Sequence, residues 1–165
     1  MEKADALVSI VMGSESDLGI MQETQTVLSR FGIPYETRVI SAHRTPERAA
    51  EYARNLENRG VKLVIAAAGK AAHLAGVIAG LTCLPVIGVP ITTSDLGGLD
   101  SLLSMVQMPG GIPVATVTIG KAGAKNAALL AVEILALTDA GLKRGLVDFR
   151  AEMSREVERA DERIG

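Results

Sequence analysis

Residues 6–17 read ALVSIVMGSESD, an apolar run that stops at a glycine followed by serines and acids. A short apolar run bounded by turn residues is typical of a buried strand. After it, apolar side chains recur at helical spacing between Leu18 and Leu28, and Gly32 marks the expected stop. We therefore predict a β-strand over 6–12 that is followed by an α-helix.

The same alternation runs through the rest of the chain at roughly 25–30-residue intervals. Strands that alternate with helices are joined by right-handed crossovers, and such units form a parallel sheet with helices on both faces. The sequence therefore predicts an α/β fold: a three-layer αβα sandwich with a flavodoxin-like parallel sheet in the strand order 2-1-3-4-5. The other predicted strands are 35–40, 63–67, 86–89 and 114–119, and the other predicted helices begin at Thr45-Pro46 or cover 71–81, 100–107 and about 124–137.

The whole chain, 1–165, fits one domain, because this length buries a substantial core and leaves no room for a second catalytic unit. We expect the core at about 6–138. The remainder, 139–165, is highly charged with a helical pattern, which predicts a C-terminal helix that is solvated or caps another subunit. Hydrophobic residues make up 48% of the chain and 102–113 carries no charge, so we expect this stretch to contact another copy in a homo-oligomer.

Composition excludes several classes of function. The net charge is −2 and basic residues are interleaved with acidic ones, so nucleic acid is not an expected partner. With two Phe, two Tyr and no Trp, the chain has few platforms for stacking, and a site must recognise its ligand through backbone and polar groups. The first residues lack a basic segment followed by an apolar one, so we expect a cytoplasmic protein.

One apolar segment, 74–94, is uncharged and nominally long enough to span a bilayer. Pro85 and Pro90 favour a buried helix, turn and strand instead, so we expect no membrane association. Cys83 lies in this segment and is the single cysteine of the chain. It excludes an intrachain disulfide and predicts a buried thiol in a reducing compartment.

Polar residues follow the first three predicted strands, at 13–17, 41–45 and 68–73. Because the carboxyl ends of parallel strands meet at one edge of the sheet, we expect these loops to lie together. His43 and His73, the only histidines, lie in two of them, and either could act as an acid–base group or simply pack within its loop. The chain shows no metal-ligand spacing and no glycine-rich dinucleotide or triphosphate motif, so we expect no metal and no such cofactor.

The residue types in these loops favour a sugar-phosphate ligand. Ser14 and Arg44 suit a phosphate monoester, because hydroxyls at a helix N-terminus and a guanidinium both bind anions. Asp17 would repel phosphate and is expected to accept hydrogen bonds from ribose hydroxyls. Ser14, Ser16 and Thr45 also have a structural interpretation as helix caps, Ser14 together with Asp17 as a Ser-x-x-acid cap.

Six short motifs together resemble the N5-carboxyaminoimidazole ribonucleotide mutase family of purine biosynthesis. They occur in the family's order from about residue 8 to 137, and six motifs in register are far more specific than any one of them. The matching stretches are MGSESD (12–17), SAHRTP (41–46), AAHL (71–74), LPVIGVP (84–90), LDSLLSMVQMP (99–109) and KNAALL (125–130).

The resemblance implies an isomerase that needs no metal or organic cofactor. The substrate carbamate loses CO2 to give aminoimidazole ribonucleotide, and C4 of the ring recaptures that CO2. His43 matches the family's proton shuttle, and one imidazole can serve first as acid and then as base. The resemblance also implies a homo-octamer. The positions that match ligand-binding residues of the family, with plausible neighbours, are Ser14, Ser16, Asp17, Ser41, Ala42, Arg44, Ala68, Gly69, Lys70, His73 and Leu74.

Two positions depart from the mutase pattern. Lys70 stands where a second glycine is usual and Ala75 where a proline is usual, and a related branch that carboxylates aminoimidazole ribonucleotide directly with CO2 has a basic residue at the first position. If the loop needs a positive φ there, lysine adopts it only at a cost. Direct carboxylation therefore remains an alternative, and a non-catalytic nucleotide-binding module of the same fold is a second one.

Overall fold

The computed structural model describes residues 6–164, which form one parallel sheet and the helices that cover it. The sheet has the order β2-β1-β3-β4-β5, with every neighbouring pair parallel, as the sequence predicts. Because the order reverses between β1 and β3, the loops that follow β1, β2 and β3 share one edge of the sheet. The strands are β1 Val8–Met12, β2 Tyr35–Val39, β3 Leu63–Ala68, β4 Val86–Pro90 and β5 Ala115–Thr116.

Helices cover both faces of this sheet, which confirms the predicted three-layer sandwich. The face of β1 that carries Ile10 packs against α1 and α5, and the face that carries Val11 packs against the layer of α2 and α3. β1, β3 and β4 are fully buried, which explains their continuous apolar runs. The helices are α1 Leu18–Arg30, α2 Pro46–Arg54, α3 Leu74–Ala79, α4 Leu99–Val106, α5 Gly120–Leu135 and α6 Ala140–Ile164.

Helix α3 is shorter than the predicted 71–81. Lys70 has φ 58°, a left-handed conformation, and Ala71 and Ala72 lie in an irregular turn before the helix begins at Leu74. The predicted pattern was apolar and alanine-rich throughout, so periodicity alone could not reveal this turn. The residues before Leu74 are therefore loop residues.

The junction of β5 and α5 also differs from the prediction. The strand covers only Ala115–Thr116 rather than 114–119, and α5 begins at Gly120 rather than near 124. A Cβ on Gly123 would lie 1.7 Å from the carbonyl oxygen of Thr118. The first turn of α5 therefore packs in direct contact with the segment that leads into it. This close approach requires glycine at position 123.

The expected burial of Cys83 is wrong, because its thiol is free and exposed. The residue lies in the turn between α3 and β4, and its backbone N–H donates to a carboxylate oxygen of Glu57 at 3.4 Å. The apolar run around it becomes buried only from Val86 onward. None of the helices within residues 6–164 combines the length and the hydropathy that crossing a bilayer requires, and 74–94 is indeed divided into a helix, a turn and a strand.

Candidate active site

A cleft of about 520 Å³ lies beyond the carboxyl ends of the strands. All of the residues that the sequence singled out for binding or catalysis line it, from the loops after β1, β2 and β3. Those residues are Ser14, Ser16, Asp17, Ser41, Ala42, His43, Arg44, Ala68, Gly69, Lys70, His73 and Leu74.

The sequence reasoning missed the fourth wall of the cleft. Ile91, Thr92, Thr93 and Ser94, which follow β4, also line it. Three consecutive hydroxyl residues after a predicted strand were the available signal, since every such end in a parallel sheet points toward the same edge. Thr93 also has a structural role, because its hydroxyl donates to Asp100 at 3.0 Å and accepts from the backbone N–H of Gly98.

The loop after β1 presents hydroxyls to the cleft. The Ser16 hydroxyl donates to Ser14 Oγ at 2.9 Å and approaches Asp17 Oδ1 at 3.2 Å, and the Ser16 N–H points at Ser14 Oγ. Ser14 thus caps the short 3₁₀ turn Glu15–Asp17, whereas α1 begins only at Leu18. Ser14 is therefore a cap at the predicted residue, but of a 3₁₀ turn that precedes α1, and the Asp17 side chain makes no cap bond to α1. Ser14 and Ser16 also line the cleft.

Asp17 is the buried acid of this loop, with 7% of its surface exposed. Burial raises the pKa of its carboxyl group, while hydrogen bonds from the Ser16 hydroxyl and the Ser14 backbone oppose the rise. Few protein donors satisfy the carboxylate, so it retains capacity to accept further hydrogen bonds from a ligand.

The loop after β2 holds Arg44 with neutral partners. Its Nη2 donates to the carbonyl oxygen of Gly13 at 2.9 Å and its Nε to Ser41 Oγ at 3.4 Å. Within the described part of the chain no carboxylate forms an ion pair with Arg44. The guanidinium is therefore fixed in place while its charge stays available for an anion.

Thr45 does not cap α2 with its side chain, contrary to the prediction. It occupies the N-cap position, but its hydroxyl donates to the carbonyl oxygen of Ser41 at 2.9 Å and accepts from the Ser41 N–H. The Ser41 hydroxyl in turn accepts from the Arg44 N–H at 3.1 Å. These bonds close the loop into a turn that presents His43 at its outer tip.

The two histidines meet across the cleft although they are 30 residues apart in the chain. Nε2 of His43 lies 2.9 Å from Nδ1 of His73, and the rings are nearly perpendicular with centroids 4.9 Å apart. One ring must donate and the other accept, so the pair couples the tautomers of both. Both side chains are exposed to the cleft, where a ligand can reach them.

Lys70 is the one non-glycine residue with a positive φ within residues 6–164. This conformation favours glycine, the residue that is usual at this position in the mutase pattern. Its ammonium pairs with Asp95 at 2.6 Å, across the mouth of the cleft. The hydrogen bond that the Lys70 ammonium donates to Asp95 raises the pKa of Lys70 and lowers the pKa of Asp95. The pair joins the loop after β3 to the loop after β4.

A metal does not have an evident place in this arrangement. Across residues 6–164, no three His, Cys, Asp or Glu side chains come close enough to hold a metal ion. The cleft presents an imidazole pair, a fixed guanidinium, the Asp17 carboxylate, the Lys70 ammonium and a set of hydroxyl groups.

Comparison with known proteins agrees with this arrangement. A protein-family model described as AIR carboxylase matches residues 7–156. The chain is 56% identical over 164 residues to the N5-carboxyaminoimidazole ribonucleotide mutase of Pyrococcus horikoshii, which covers 99% of this chain and 92% of that protein. It is 54% identical to the mutase of the same name from Thermotoga maritima, over 91% of this chain and 86% of that protein. The crystal structure of Treponema denticola PurE superposes with a TM-score of 0.86 at 31% identity, over 96% of this chain and 98% of that one. The chain belongs to the AIR carboxylase family.

Proposed function

We propose that this protein is an N5-carboxyaminoimidazole ribonucleotide mutase of de novo purine biosynthesis. It moves a carboxylate from the exocyclic nitrogen of the substrate to C4 of the imidazole ring. Five relatives that carry this enzyme name are 52%, 54%, 55%, 56% and 60% identical to the chain over most of its length. The structural observation that carries the proposal is the pair His43–His73 in a cleft where Arg44, the residue after His43, forms no ion pair with a carboxylate of residues 6–164.

His43 moves the proton in both halves of the reaction. In the first half the bond between the carbamate carbon and nitrogen breaks, its electron pair stays on nitrogen, and nitrogen takes a proton from His43 as CO2 leaves. In the second half C4 attacks CO2, and the imidazole removes the C4 proton so that the ring regains aromaticity. Proton return to His43 closes the cycle, which suits an imidazole because the same ring can act first as an acid and then as a base.

The substrate phosphate and ribose bind at the β1 and β2 loops. Ser14 and Arg44 hold the phosphate, with Ser16 and Ser41 beside them, and Asp17 accepts hydrogen bonds from the ribose hydroxyls. The absence of a carboxylate beside Arg44 in residues 6–164 supports this assignment, because an anion there meets no competitor.

The base and the liberated CO2 lie under the loop after β3. Backbone at Ala68 and Gly69, with Ala42 opposite, surrounds the ring, and Leu74 supplies an apolar wall. His73 and Lys70 complete the cover. A closed, partly apolar pocket keeps CO2 near C4 and limits its loss to water.

A second candidate reaction is the direct carboxylation of aminoimidazole ribonucleotide with CO2. The Lys70 ammonium at the mouth of the cleft favours it, because a cation there attracts bicarbonate or stabilises a new carboxylate. Purified protein supplied with the carbamate substrate, or with aminoimidazole ribonucleotide plus bicarbonate, and followed by ultraviolet absorbance separates the two. Turnover of the carbamate without added bicarbonate supports the mutase, and turnover only with bicarbonate contradicts it.

The protein acts as a homo-octamer in the cytoplasm, with residues 1–165 forming one domain in each subunit. Leu99, Leu103 and Val106 leave an apolar stripe of α4 exposed, next to the uncharged stretch 107–113, which supports a contact between copies. The exposed free thiol of Cys83 accords with a reducing compartment. Light scattering that gives a stable monomer at micromolar concentration would contradict the oligomer.

A further inference from the structure

Ser101 is a buried hydroxyl that bonds to two walls of the cleft at once. It lies in the first turn of α4 with none of its surface exposed. Its Oγ donates to the carbonyl oxygen of Ile91, just after β4, at 2.9 Å, and accepts from the backbone N–H of Lys70 at 3.0 Å. One hydroxyl therefore ties α4 to the loop after β3 and to the loop after β4.

Ser101 bonds to Lys70, a residue whose backbone conformation requires a restraint. Lys70 has φ 58°, and every other positive φ in residues 6–164 belongs to a glycine. A lysine in this region relaxes toward ordinary backbone angles unless its surroundings prevent it. Ser104 adds a weaker contact, since its hydroxyl lies 3.4 Å from the Lys70 carbonyl oxygen and bonds mainly to Asp100 O at 2.7 Å.

A short, tight turn links the backbone conformation of Lys70 to the position of His73. The His73 N–H donates to the carbonyl oxygen of Ala71 at 2.9 Å, and Ala72 between them is fully buried. His73 then places Nδ1 2.9 Å from Nε2 of His43. A change of φ at Lys70 rotates this turn as a unit and draws the two imidazoles apart.

The ion pair between Lys70 and Asp95 restrains the Lys70 backbone less than the hydrogen bond to Ser101 does. Its side chains are 69% and 60% exposed, so water screens the pair and both side chains keep other conformations. The buried hydroxyl is restrained by packing on all sides. Ser101 belongs to the motif LDSLLSMVQMP, which has no role in the reaction as described above.

We propose that Ser101 is a positioning residue for the carboxylate transfer: by holding Lys70 in the left-handed conformation, it keeps His73 in contact with His43. The inference rests on the proposed function, so its test includes a measurement that needs no turnover. Ser101→Ala removes the acceptor of the Lys70 N–H. We expect kcat with the carbamate substrate to fall about ten- to a hundredfold and KM to change less than threefold, because a small displacement of a reacting group lowers the rate more than ground-state binding.

Amide hydrogen exchange of residues 69–73 in the free protein provides the measurement without turnover. We expect exchange in this segment to speed up by at least tenfold in Ser101→Ala. The matched control is Thr24→Val, because the Thr24 hydroxyl is equally buried and donates to the Ala124 carbonyl at 2.8 Å, between α1 and α5. This variant should leave kcat and the exchange of 69–73 at wild-type values.

A double substitution separates positioning from general stability. In a Lys70→Gly background, glycine has no backbone strain at a positive φ, so no strain drives the loop away from this conformation when the restraint is lost. Adding Ser101→Ala should therefore lower kcat by less than threefold relative to that background. An unchanged kcat in Ser101→Ala, an equal loss in Thr24→Val, or a full loss in the glycine background would overturn the proposal. If the wild type itself fails to convert the carbamate, the proposed function fails, while the exchange data still decide whether Ser101 holds the loop.

Discussion

Two polar clusters of this molecule differ in how far their groups satisfy one another. Beside β2, Glu36 accepts hydrogen bonds from Arg38, Arg59 and Tyr52, and the Tyr52 hydroxyl also contacts Ser9 Oγ at 2.6 Å. The Arg59 guanidinium lies over the Tyr52 ring at 4.7 Å. Every charge in this cluster has an opposite charge or a ring beside it, and Arg59 Nη2, which is buried without a hydrogen bond, still lies 2.9 Å from Glu36 Oε1.

The cleft is the opposite case. Among residues 6–164 the Arg44 guanidinium bonds to a carbonyl and a hydroxyl and to no carboxylate, Asp17 is buried with few donors, and His43 and His73 share one hydrogen bond at the surface. Groups that are held in place yet incompletely satisfied are available to a ligand, whereas completed networks stabilise the fold. The two clusters differ in how many of their polar groups have hydrogen-bond or charge partners, and not in their number of charges.

The largest effect should follow from His43→Asn. Turnover of the carbamate substrate should fall by at least about 10²–10⁴-fold, because the variant loses the group that moves the proton in both steps. Steady-state absorbance assays measure the rate, and thermal unfolding within about 2 °C of the wild type serves as the control for folding. Rates near those of the wild type would remove His43 from the mechanism.

Arg44→Ala should weaken ligand binding about tenfold or more. A charge-assisted hydrogen bond contributes roughly 1.5–3 kcal/mol, and it is lost only when the ligand carries a phosphate. Calorimetry with aminoimidazole ribonucleotide and with the corresponding nucleoside measures the difference. Arg38→Ala, which removes a guanidinium from the other cluster, is the matched control and should leave both affinities unchanged.

Glu36→Gln should destabilise the fold by about 1–3 kcal/mol and leave kcat unchanged, because it breaks the completed network and not the cleft. Burial opposes ionisation of Glu36, but the hydrogen bonds from Arg59 and Tyr52 outweigh it and lower the pKa of the carboxyl group. The contribution is therefore present above the ordinary glutamate pKa of about 4.3 and is lost as pH falls through the lower folded-state value.

Denaturant unfolding of this variant and the wild type at several pH values checks the direction of the effect. The difference in unfolding free energy should be largest near neutral pH and should shrink below about pH 4. A difference that grows toward acid pH would contradict the assignment of Glu36 as an ionised partner of Arg59.

The smallest effect should come from Lys70→Gly, which removes both the backbone strain and the ammonium. We expect mutase activity to be preserved or raised and the fold to gain about 1 kcal/mol, because glycine tolerates φ 58°. Lys70→Ala is the matched control, since it removes the charge and keeps the strain. A large loss of mutase activity in the glycine variant would show that the ammonium takes part in the reaction, and a selective loss of bicarbonate-dependent carboxylation would favour the alternative reaction.

Local patterns were enough to predict the sandwich, the strand order and three of the four loops that reach the cleft, but not the loop after β4. They failed at Cys83, at the start of α3 and at the junction of β5 and α5. At Cys83 the backbone N–H bonds to Glu57, which lies 26 residues earlier in the chain, and at the start of α5 Gly123 approaches the Thr118 carbonyl more closely than a Cβ would allow. Periodicity records which side of an element is apolar, and it does not record such approaches.

The sequence by itself determined that polar residues follow buried parallel strands, because alternation of strand and helix fixes the handedness of each crossover and gathers the carboxyl ends at one edge. Only the tertiary structure decided which of those residues touch. Three features of the cleft depend on distances between loops that are far apart in the chain. They are the hydrogen bond between His43 and His73, the hydrogen bond between Ser101 and Lys70, and the lack of a carboxylate beside Arg44 within residues 6–164. A hydrogen bond forms over a few tenths of an ångström, and residue spacing along the chain does not specify position that finely.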